Sequence, residues 1–133
     1  DGEDHGTSSA IEYALKELKI KHLIVLGHTD CGGVKSGHNL HSKNSNPDYE
    51  FINKWLSILL PAFNNIEKNV SKKKQIEQLE EESIKTSVIN LFSFPYIKKA
   101  VEDKDLSIHG LIHNIGSGEI KFLNPITKNF EKL

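Results

Sequence analysis

At 133 residues the chain has the length of a single domain, residues 1–133, and its 37% hydrophobic and 26% charged content is that of an ordinary globular protein, which excludes disorder and collagen-like character. A formal net charge of -1 gives no basic footprint for nucleic acid or anionic lipid, and no apolar run longer than LIVL or ILL approaches the roughly 20 residues that span a bilayer. One cysteine excludes an intramolecular disulfide framework and points to a reducing compartment, the cytoplasm or an organelle matrix.

The chain opens on DGEDHGTSSAIEYAL and contains no methionine, which reads as the middle of a longer protein. From Ser8 to Leu18, apolar residues at Ile11, Ala14, Leu15 and Leu18 predict a helix with one buried face, capped by a Ser9/Glu12 box or by Thr7 or Ser8. HLIVLGH, residues 22–28, is a short, continuous apolar run that a glycine closes. It predicts a central parallel strand buried on both faces. Helix, buried strand and glycine loop in succession are the grammar of an α/β sheet, in which ligands collect at the carboxyl ends of strands.

SGHNLHSKNSNPD, residues 36–48, reads as a polar loop. YEFINKWLSILLPAF reads as a helix with Phe51, Ile52, Trp55, Leu56 and Leu59 on one side, stopped near Pro61. Lys72 to Leu91 carries Ile76, Leu79, Ser83, Ile84, Val88 and Leu91 at helical spacing. FPYIKKAVED starts another helix, with Pro95 in its first turn and Ile97, Ala100 and Val101 turned inward. LSIHGLIHNIGSGEIKFL has two β-like runs separated by Gly116-Ser117-Gly118, a hairpin signal. The sum is an α/β fold: a mainly parallel sheet flanked by helices on both faces, with a C-terminal antiparallel hairpin.

The chemistry gathers at GHTDCGG, residues 27–33. A thiolate and a neutral imidazole are ligands that Zn²⁺ favours, and a tight turn can bring His28 and Cys31 onto one metal. Gly32 and Gly33 follow at once, leaving amide N–H groups unshielded at a helix start, where a small anion fits. Two other readings stand beside this one. A lone cysteine commonly packs in a core, and Cys31 could be a nucleophile with His28 as base and Asp30 as orienting group. The remaining histidines (His5, His22, His38, His41, His109 and His113) show no ligand spacing among themselves and read as surface or satisfied strand residues.

SSAIEYALKELKIKHLIVLGHTDCGGVKSG resembles the β-class carbonic anhydrases, whose helix-strand-loop signature ends in G-H-x-x-C-G-G. INKWLSILLPAF resembles the family's tryptophan-containing helix, EEESIKTSVINLFSFPYIKKAV its next helical stretch, and LSIHGLIHNIGSGEI its final hairpin. Leu111 and His113 stand where family members often carry aromatic residues. The resemblance implies zinc-dependent hydration of CO₂ to bicarbonate, with His28 and Cys31 as two zinc ligands, Gly32 and Gly33 near the substrate, and a homodimer or larger homo-oligomer. It also implies a further zinc-ligating cysteine, and an Asp-Arg pair, in a C-x-D-S-R motif on an earlier strand. No such motif occurs in the chain, so the expected segment is the C-terminal part of the family domain without its N-terminal strands. The rivals are a non-catalytic zinc-binding or interaction domain of the same family and a relative that acts on CS₂.

Overall fold

The computed structural model describes residues 5–42 and 48–133. Residues 43–47, within the predicted polar loop, lie outside the described residues. Four strands, β1 (His22–His28), β2 (Ser107–His113), β3 (Ile120–Leu123) and β4 (Phe130–Lys132), form one sheet in that spatial order. β1 and β2 are parallel, in register from His22 opposite Ser107 to His28 opposite His113. The two following pairs are antiparallel. The sheet is therefore mixed, an α/β arrangement with the predicted hairpin at its C-terminal side.

All helices but the first belong to the long crossover between the two parallel strands. α1 is Gly6–Lys16, α2 Gly32–His41 and α3 Glu50–Leu56; a 3₁₀ turn, Ser57–Leu59, leads into α4, Leu60–Asn65. α5 is Lys72–Leu91 and α6 Pro95–Glu102. α5 has the bounds read from its periodicity, and its N-cap Ser71 accepts a hydrogen bond from the backbone N–H of Lys74. α6 starts with Pro95 in its first turn, where the missing N–H costs nothing.

Alternate residues of β1 face opposite ways, and the structure treats its two faces differently. Leu23 and Val25 pack with Ile108 of β2 against a cluster built on Leu91, Ile97 and Leu106, which Ile11 and Leu15 of α1 also join. Gly27 and Gly110 on the same face lie against Ile84 of α5. On the opposite face Ile24 and Leu26 are 53% and 63% exposed. The expectation of a strand buried on both faces thus holds for one face. The reason is that the helices touching the sheet among the described residues approach from that side; β1, expected to be central, is also an edge strand among the described ones. A second cluster, Val34, Ala62, Phe63, Ile66 and Leu79, lies among α2, α4 and α5, with Cys31 and Ile76 against it.

Three boundaries differ from the sequence reading. α1 begins two residues before Ser8, capped by His5 with no side-chain cap bond, so the Ser9/Glu12 box does not form; Glu12 pairs with Lys16 instead. Lys19 adopts a φ of 54°, and Leu18, beyond the helix end, is left 63% exposed. Residues 36–41 are helix rather than loop, because Val34, Gly37 and His38 bury one face of α2 despite its polar composition. Pro61 starts α4 instead of stopping α3, since it occupies one of the first two helical positions.

β4 had no counterpart in the sequence reading. Its hairpin repeats a device of the first one. The Asn114 Oδ1 accepts from the N–H groups of Gly116 and Ser117 at 2.9 and 3.1 Å, and the Asn124 Oδ1 accepts from those of Ile126 and Thr127 at 2.8 and 3.1 Å. Asparagine favours such turns because its side chain replaces a backbone acceptor. Among the described residues no helix is long and apolar enough to cross a membrane.

Candidate metal site at the end of β1

β1 ends at His28. The chain then turns through Thr29 and Asp30, and Cys31 becomes the N-cap of α2. The turn is tied to its surroundings on three sides. The N–H of Thr29 donates to the carbonyl of His113 at 2.9 Å, and its hydroxyl accepts from the N–H of Ile115 at 3.1 Å. Asp30 sits in the left-handed region at a φ of 61°, which aspartate tolerates better than most residues. Its carboxylate pairs with Lys35 one helical turn on. The hydrogen bond and charge of that ammonium hold the carboxyl below its ordinary value.

The third tie comes from α5. Glu80 accepts the N–H of Cys31 at 3.2 Å and is only 4% exposed. Burial pushes its carboxyl above the ordinary range, against the lowering effect of the N–H groups of Cys31 and Asp30. Glu80 was not singled out from the sequence, yet a signal was present. It stands between Ile76 and Ile84 at i, i+4 spacing, an acid inside an apolar stripe.

Gly32 and Gly33 are the first two residues of α2, where helical N–H groups lack intrahelical acceptors. A side chain on Gly32 would meet open space, while a Cβ on Gly33 would lie 3.4 Å from the Trp55 ring and 3.8 Å from the Cys31 Sγ. Gly33 thus spaces the thiol from Trp55. A cavity of about 750 Å³ opens beside the turn, with Thr29, Asp30, Lys35, Glu80, Asn114 and Lys121 among its walls.

His28 is exposed and Cys31 half-buried. Among the described residues no hydrogen bond engages either the imidazole of His28 or the thiol of Cys31. Two donors of the kinds zinc prefers, flanking one fixed turn and without competing partners, fit a metal. They make half a coordination sphere, since no group of three His, Cys, Asp or Glu residues among the described ones could hold an ion. The nucleophile reading fares worse, because Asp30, its orienting group, is paired with Lys35.

Of the other histidines, His113 stands opposite His28 in the sheet and meets the turn through its carbonyl. The Nε2 of His38 bonds to the Gln75 Oε1 at 2.8 Å, and the Nε2 of His41 to the carbonyl of Leu56 at 3.1 Å. His38 is buried in a helix, not at the surface or in a strand as expected. Parallel pairing also joins two histidines that sequence spacing kept apart: the His22 Nδ1 and the His109 Nε2 are 3.0 Å from each other.

An α/β sheet with zinc-type donors at a strand's carboxyl end defines a class, and sequence comparison narrows it. The carbonic anhydrase family profile matches residues 1–120. Beta carbonic anhydrase 3 of Arabidopsis thaliana is 31% identical over 113 residues, which are 83% of this chain and 44% of that protein. The structure of the beta-carbonic anhydrase CcaA superposes with a TM-score of 0.79 at 29% identity, covering 96% of this chain and 58% of the other. One of two tetrameric beta-carbonic anhydrases from Sordaria macrospora gives 0.75 at 25%, covering 93% and 62%. The chain belongs to the carbonic anhydrase family, on the side of its β class. It spans less than half the length of the Arabidopsis relative.

Proposed function

We propose that this segment is part of a zinc-dependent enzyme for the reversible hydration of CO₂ to bicarbonate, with His28 and Cys31 as two of the metal's protein ligands. The observation that carries the reading is the turn itself, in a chain of the carbonic anhydrase family: an imidazole and a thiol with no hydrogen-bond partners among the described residues, flanking a fixed two-residue connection. Zinc, when bound, supplies the Lewis acidity that lets water act as a nucleophile near neutral pH.

The chain's own residues hold and orient. His28 leaves β1 with its backbone set by pairing to His113, and Cys31 offers its sulfur from the start of α2. The N–H groups of Gly32 and Gly33 face outward from the helix start and can hold a carboxylate-like product. Trp55, beside Gly33, keeps one wall of that approach apolar. Donors that complete the coordination, and the Asp-Arg pair the family resemblance implies, come from outside the described residues. The active form is a homo-oligomer, in keeping with the tetrameric relatives of Sordaria macrospora, and the free thiol of Cys31 suits a reducing compartment.

The test is stopped-flow CO₂ hydration and metal analysis on the longer protein that contains this segment. The expected result is about one zinc per chain and hydration well above the uncatalysed rate, both lost in His28→Ala and Cys31→Ala. Unchanged zinc in both variants overturns the ligand assignment. Full zinc without hydration leaves the non-catalytic reading in its place, and turnover of CS₂ but not CO₂ would replace the substrate.

A further inference from the structure

We infer that Glu80 is a positioning residue for the metal site, setting where Cys31 stands relative to His28; the inference rests on the zinc reading above. The two donors hang from different supports. His28 is fixed by the sheet, because β1 pairs with β2 through His113 and Thr29 bonds to the carbonyl of that same residue. Cys31 lies past a left-handed aspartate, two residues beyond the bonds that tie Thr29 to the sheet, and its N–H precedes the first bond of α2, in which the Lys35 N–H donates to the Cys31 carbonyl. That amide needs an acceptor from outside the helix. Glu80 supplies it, reaching across from α5.

The cost of placing the acceptor there argues against an incidental contact. A carboxylate withdrawn from water is among the more expensive groups to bury. At this position Ile76 and Ile84 show that an apolar side chain suits the stripe. A purely structural α5 would be served by leucine. What leucine could not do is anchor the Cys31 amide, so Glu80 trades helix stability for a fixed distance between imidazole and sulfur. α5 is also the helix against which Gly27 rests, through Ile84. One rigid element therefore references the end of β1 by packing and the start of α2 by a hydrogen bond.

The experiment uses the longer protein with Co²⁺ in place of zinc, reading its dissociation constant and its d–d and thiolate-to-metal absorption bands, together with amide exchange at Cys31 in the metal-free protein. Glu80→Gln keeps an acceptor oxygen of the same reach; Glu80→Leu removes it. The expected result is that Glu80→Gln retains the wild-type spectrum and Cys31 protection. Glu80→Leu should bind about 10- to 100-fold more weakly, as losses of groups behind metal ligands do, with shifted bands and fast exchange confined to the turn. If Glu80→Leu does not fold, Glu80→Asp, one methylene too short to reach the amide, carries the same expectation. Wild-type affinity, spectrum and Cys31 protection in the leucine or aspartate variant overturn the inference, as does loss of protection spread evenly over α2 and α5. A wild-type protein without a thiolate band sinks the zinc reading instead, and the exchange data then decide alone whether Glu80 holds the turn.

Discussion

Gly27 meets Ile84 so closely that a Cβ on the glycine would lie 2.6 Å from the Ile84 Cδ1 and 2.8 Å from its Cγ1. Ile84 is 2% exposed, so its side chain must give way within a buried layer. Gly27→Ala should therefore push β1 off α5 and cost about 1–3 kcal/mol, the usual penalty of overpacking. Urea denaturation of the alanine variant checks the size. Combining it with Ile84→Ala should recover part of the loss, and a cycle with no coupling would contradict the contact.

Burial raises the carboxyl of Glu80 above its ordinary 4.5, so the folded chain holds that proton more tightly than the unfolded one. The stability it contributes is complete below the ordinary value and is lost as pH rises through the raised one. Glu80→Gln removes this dependence. Urea midpoints of metal-free protein should favour the glutamine variant increasingly from the ordinary carboxylate range toward neutrality, then level off. A difference that stays constant with pH would contradict the direction of the shift.

His38, 3% exposed, has its Nε2 on Gln75, and its Nδ1 has no hydrogen-bond partner among the described residues. The Gln75 amide in turn donates to the carbonyls of Lys68 and Val70 at 3.2 and 3.0 Å. Gln75→Ala strands a second imidazole nitrogen and releases the loop before α5, at a cost of about 1–3 kcal/mol. His38→Leu with Gln75→Leu removes the polar groups together and should cost less than Gln75→Ala alone. Chemical denaturation of the three proteins orders them.

Assembly is open to a direct measurement. Tyr13 and Leu18 near α1 and Ile120 of the hairpin region are exposed, as are Ile24 and Leu26 of β1, more apolar surface than a lone subunit keeps well hydrated. Light scattering on the longer protein at micromolar concentration should give a dimer or a larger species. A stable monomer would contradict the assembly proposed above.

Legibility followed the strength of local signals. α5 could be read from the spacing of its apolar residues and the β2–β3 hairpin from Gly116-Ser117-Gly118, because both signals are local. The start of α2 at Gly32 was legible, but its continuation to His41 was hidden, since its buried face consists of Val34, Gly37 and His38, which no hydropathy pattern marks. The half-burial of β1 was hidden too, since LIVL reads alike whether one face or two is covered. At the site, the His28–Cys31 pair stood out by type and spacing. Glu80 did not, because its tie to Cys31 joins residues 49 positions apart.

The ties of the metal turn have a kinetic consequence. Thr29 is held by Ile115, 86 residues further on, and the strands behind it are connected only through the whole helical crossover. Contacts of such separation form late, because the loop must close before they repay its entropy. In refolding, helices such as α5 can appear while the turn at His28 and Cys31 is still unformed. Metal uptake should therefore follow the slow phase in which β1 and β2 join, well after most of the helical signal has returned.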